Sequence, residues 1–104
     1  MTNTDIITQE IITVVKLEKK LEAAKKSKIF QQAKYEKLKL QDQEAEKQSL
    51  GAKGREQYLS NSLRFQLSLC MTVTYHKALN LNSTINKLEK NLQYAKLRLN
   101  ILQG

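Results

Sequence analysis

The chain has 104 residues, with 18 Lys and Arg against 10 Asp and Glu, a formal net charge of +8, one cysteine, three glycines and no proline. One cysteine excludes an intrachain disulfide framework, and no run approaches the ~18 consecutive apolar residues that a membrane span requires. The length suits a single domain, residues 1–104, and the abundance of good helix formers without proline points to an all-α fold, while the positive charge favours anionic partners.

At the N-terminus, Asp5 and Glu10 lie among Ile6, Ile7, Ile11 and Ile12. This is not the cationic start and uninterrupted apolar core of a secretory signal, so the expectation is a cytoplasmic protein. Residues 1–4 read as frayed, with Thr4 or Asp5 capping a first helix over about 5–49. Ile7, Ile11, Val14, Leu17, Leu21 and Ala24 form its apolar face. The same step continues through Lys28, Gln31, Tyr35, Leu38, Asp42 and Ala45, so the second half of that face turns polar.

Gly51 and Gly54 punctuate residues 50–55, where we place a turn, with a glycine past the helix end supplying a left-handed cap. A second helix is predicted over about 56–103, with Glu56 facing the positive end of its dipole. Its stripe runs Leu67, Met71, Thr74, Ala78, Leu81, Ile85, Leu88, Leu92, Ala95, Leu99, Leu102, in steps of four and three. A repeat averaging 3.5 residues is what keeps one seam of a helix against a partner helix. The polar cluster Asn80, Asn82, Ser83 and Thr84 is a rival break, but the stripe holds its phase across it, which a loop would scramble.

Two such helices joined by a short turn make a long antiparallel helical hairpin of coiled-coil character. Its seam at the open end is expected from Ile7, Ile11, Val14, Leu17 and Leu21 on one helix, and from Ile85, Leu88, Leu92, Leu99 and Leu102 on the other. Level residues then have numbers that sum to roughly 105, as in a coiled coil folded at its midpoint. That register opposes Lys96 to Glu10, Lys87 to Glu18, Glu89 to Lys16, and Arg64 to the stretch from Asp42 to Glu46.

Residues 59–81 carry Leu59, Leu63, Phe65, Leu67, Leu69, Cys70, Met71, Val73, Tyr75, Ala78, Leu79 and Leu81, more apolar surface than a two-helix seam can cover. The polar half of helix one faces them. Such a surface calls for a partner, and the assembly set is expected to be Leu63, Leu67, Cys70, Met71, Val73 and Leu81. A second copy, giving a homodimeric four-helix bundle, is the first choice, and another helical protein is the alternative.

His76 is the sole histidine and has no ligand or base at helical spacing; Cys70 likewise lacks a base and reads as a small apolar interface residue. No phosphate-binding loop, nucleophile elbow or carboxylate pair can be assembled, so neither enzyme activity nor a cofactor is expected. The expectation is therefore a structural or adaptor protein acting through helix-to-helix contacts. The rival reading is nucleic-acid binding by the lysine-rich first helix, with Lys25, Lys26, Lys28, Lys34 and Lys37 as candidate anion ligands. No arginine for base readout and no aromatic platform accompany those lysines. An anionic membrane surface is disfavoured, since the apolar residues among them form no broad face.

Overall fold

The computed structural model describes residues 2–104. It contains two α-helices, α1 (Asn3–Ser49) and α2 (Arg55–Gln103), of 47 and 49 residues, joined by a short turn into an all-α helical hairpin. Among the described residues no helix is long and apolar enough to cross a membrane.

The start of α1 differs from expectation. Thr2 Oγ1 accepts the Asp5 N–H at 3.2 Å and Asp5 Oδ2 accepts the Thr2 N–H at 3.3 Å, a reciprocal capping box. The cap is therefore Thr2, not Thr4 or Asp5, because only residues three apart can satisfy each other's free N–H groups. Thr4 lies inside the first turn, its carbonyl accepting the Thr8 hydroxyl at 2.9 Å. Of the residues expected to fray, residue 1 lies outside the described residues.

At the other end of α1, Ser49 Oγ donates to the Glu46 carbonyl at 2.8 Å and the Ala52 N–H donates to the Ser49 carbonyl at 3.2 Å. The left-handed residue of the turn is Gly54, with φ of 61°, and not Gly51. The Gly54 carbonyl accepts the Tyr58 N–H at 3.1 Å, so this glycine is the N-cap of α2 rather than the C-cap of α1. Helix α2 then runs unbroken through Asn80–Thr84.

The chain divides into two compact units: a terminal unit made of the chain through Ser27 with Leu81–Gly104, and a turn unit, Lys28–Asn80. In the terminal unit Ile7, Glu10, Val14, Leu17, Leu21 and Ala24 of α1 and Leu81, Ile85, Leu88, Leu92, Ala95 and Leu99 of α2 are buried or half-buried. Each large apolar side chain fully covered there contributes about 1.5–3 kcal/mol. Ile11, expected in this seam, is exposed, and Glu10 takes its place. The steps Ile11 to Val14 to Leu17 are two threes in succession, which drifts off a 3.5-residue repeat, whereas Glu10 keeps the alternation of three and four. Leu102, one residue from the end of α2, is exposed as well.

The ion pairs also correct the expected register. Arg64 does meet Asp42 and Glu46 in the turn unit. In the terminal unit, Glu10 meets Arg98 at 3.4 Å rather than Lys96, Glu18 meets Lys96 at 3.6 Å rather than Lys87, and Glu89 meets Lys25 at 3.8 Å rather than Lys16. The residue numbers of these pairs sum to 106 for Asp42 and Arg64, to 108 for Glu10 and Arg98, and to 114 for the other two. All exceed 105 because helical side chains lean toward their own N-terminus. In an antiparallel pair the two leans point in opposite directions in space, so two side chains meet only when each starts farther along its own helix than the level residue.

Candidate interaction surface

The seam of the turn unit mixes polar with apolar residues. Lys28, Gln31, Tyr35, Leu38, Asp42, Ala45 and Ser49 of α1 and Ser60, Arg64, Leu67, Met71, Thr74 and Ala78 of α2 are its covered residues. Thr74, only 2% exposed, satisfies its hydroxyl by donating to the Cys70 carbonyl at 2.8 Å. Gln31 Oε1 is buried with no hydrogen-bond partner among the described residues. Arg64 Nε donates to Asp42 Oδ1 at 3.1 Å, and this bond raises the guanidinium pKa; desolvation opposes it, and the charges of Asp42 and Glu46 add to the rise.

Outside that seam the large apolar residues of α2 within the turn unit face solvent. Leu59 is 55% exposed, Leu63 46% and Val73 53%, and Cys70, Phe65 and Leu69 are exposed too. The expected assembly set therefore splits. Leu67, Met71 and Leu81 are covered within the chain, while Leu63, Cys70 and Val73 remain open. Cys70 accordingly is not a residue buried between the chain's own helices. Leu59, outside the expected set, joins the open residues.

Two grooves flank the seam of this unit. One, of about 400 Å³, is lined by Tyr35, Asp42, Ser68, Met71, Thr72 and Tyr75. Tyr75 closes it in part, with ring centroids 6.3 Å from Tyr35 and 5.9 Å from His76. The other, of about 350 Å³, is lined by Gln41, Glu44, Ala45, Gln48, Leu63 and Leu67. Because seven residues are nearly two full helical turns, residues seven apart share a face. The Leu63 edge thus continues along α2 through Cys70 and Lys77, and along α1 from Gln41 and Glu44 to Lys34 and Lys37.

Of the candidate anion ligands, Lys25 pairs with Glu89 at 3.8 Å and Lys26 with Glu22 at 3.3 Å, both in the terminal unit. In the turn unit Lys28 is half-covered at a seam position, and Lys34 and Lys37 are exposed on the groove edge. Among the described residues no three His, Cys, Asp or Glu side chains gather as a metal-binding group. The groove residues Gln41, Glu44 and Gln48 were not legible as candidates from composition; the signal that finds them is a seven-residue step, from Lys34 to Gln41 to Gln48 and from Lys37 to Glu44.

The chain matches no protein-family model, no curated protein and no solved structure.

Proposed function

We propose that this chain is a non-enzymatic helical interaction protein that self-associates through the open edge of its turn unit, pairing two hairpins into a coiled-coil-like four-helix assembly with a structural or adaptor role. The observation that carries the reading is the partition in the turn unit: polar residues such as Gln31, Asp42, Arg64 and Thr74 share its seam with Leu67 and Met71, while Leu59, Leu63, Cys70 and Val73 are left in water on one edge. Covering a large side chain that is half exposed gains roughly 1 kcal/mol, about half the full transfer value, and a symmetric contact counts each residue twice. Cys70 as an unpaired thiol suits a reducing, cytoplasmic setting.

The test is molar mass by light scattering on a size-exclusion column at low and high salt, after nucleic acid has been stripped. A salt-resistant mass twice that of the 12.0 kDa chain supports the reading. Leu63→Asp with Val73→Asp should return it to the monomer with its helical circular dichroism retained. A monomer at every concentration sinks the proposal. Copurification with nucleic acid that high salt removes would favour phosphate binding instead, with Lys34 and Lys37 as its exposed turn-unit ligands.

A further inference from the structure

We infer that the second copy docks antiparallel on this edge, about a two-fold axis beside Gln66, so that the edge of α2 is read against its own reverse. The inference rests on the self-association proposed above and names its geometry. From the turn outward, one edge of α2 carries Glu56, Leu59, Leu63, Gln66, Cys70, Val73 and Lys77, in strict steps of three and four. All seven belong to the turn unit, and every one of them is exposed.

The order of chemistry along this edge is acidic, apolar, apolar, amide, apolar, apolar, basic. Turned end for end about Gln66, it matches itself. Glu56 comes to the partner's Lys77, Leu59 to Val73, Leu63 to Cys70, and Gln66 to its own equivalent. A carboxamide carries both a donor and an acceptor, so two Gln66 side chains across a two-fold axis can bond reciprocally, and a single polar layer of this kind sets register between paired helices. Helix α1 repeats the polarity, with Lys34 and Lys37 toward the Lys77 end of the edge and Glu44 toward the Glu56 end. A parallel second copy would instead set Lys77 against Lys77 and Glu56 against Glu56, which like-charge repulsion disfavours.

The experiment places single cysteines at Leu59, Gln66 or Val73 in a Cys70→Ser background and follows disulfide dimers on non-reducing gels after mild oxidation. Gln66→Cys should crosslink to itself. Leu59→Cys and Val73→Cys should each fail to do so alone, since equivalent positions seven residues from the axis stand about 20 Å apart along it, well beyond disulfide reach. The two mixed together should crosslink to each other. Self-crosslinking at all three positions means a parallel pair and overturns the inference. No crosslink at any position, while light scattering of the Cys70→Ser parent gives twice the chain mass, places the dimer on another surface and also overturns it. A monomeric parent and wild type would remove the self-association itself. As a check independent of cysteine, Lys77→Glu should weaken the dimer at low salt and Glu56→Lys in the same chain should restore it; failure of the restoration counts against the antiparallel match.

Discussion

Arg64 and Asp42 meet inside the seam of the turn unit, the guanidinium Nε donating to Oδ1 at 3.1 Å with Glu46 3.9 Å away on the same guanidinium. Both positions belong to the covered series, which in the terminal unit carries mainly leucine, isoleucine, valine and alanine, so the pair stands where that unit has apolar layers. A charge at such a position costs stability and in return selects one register of the two helices.

A double-mutant cycle checks that role. Arg64→Met and Asp42→Leu should each lower the melting temperature, and the double variant should lose less than the two singles together, because neither charge is then left without its partner. Arg64 is a cation whose pKa is raised in the fold. Its contribution is therefore present at all lower pH and is lost only as pH climbs through that raised value in strongly alkaline solution. The effect of Arg64→Met should accordingly be constant between about pH 6 and pH 10 in thermal melts, the range in which a guanidinium does not titrate.

Glu10 carries a different balance. Its Oε1 lies 3.4 Å from Arg98 Nε, but its Oε2 is buried with no hydrogen-bond partner among the described residues. Leaving a buried acceptor unmatched costs about 1–3 kcal/mol, more than a half-exposed ion pair returns. Glu10→Met should raise the stability measured by urea unfolding; a clear drop would mean the Arg98 contact outweighs the orphaned oxygen.

The two turn glycines should respond in opposite directions. Gly54→Ala puts a Cβ on a residue at φ 61°, at a cost of about 1–2 kcal/mol. Gly51 has no positive φ, and an added Cβ would meet nothing within 4 Å, so Gly51→Ala should be neutral or stabilising by up to about 1 kcal/mol through the unfolded state. Chemical denaturation of the two single variants separates them.

Seam and edge should also part company. Leu67 is 9% exposed, so Leu67→Ala should cost about 2–5 kcal/mol of folding stability. Leu63→Ala, on the open edge, should change the unfolding midpoint little at concentrations where the chain is monomeric and should shift the monomer–dimer equilibrium instead. Sedimentation equilibrium beside denaturant titration reads the two effects apart.

Much of this protein was written in local periodicity. The absence of proline, the glycines at 51 and 54, and the alternation of three and four residues from Leu67 to Leu99 determined two helices, their turn and the face each presents, because a helix period depends only on residues a few positions apart. The unbroken phase across Asn80–Thr84 was enough to carry α2 through a polar cluster.

What only the tertiary structure decided was the match between one helix and the other. A period tells which face is covered but not how far along the partner a side chain reaches, so Glu10 found Arg98, Glu18 found Lys96, and Lys25 found Glu89, each displaced from the level pairing by the lean of both side chains. The same long-range packing covered Leu67 and Met71 with the polar half of α1 while leaving Leu59, Leu63, Cys70 and Val73 in solvent. All of these residues lie on one apolar stretch of sequence, and only the position of a second helix, fixed by contacts far apart in the chain, separates the seam from the edge.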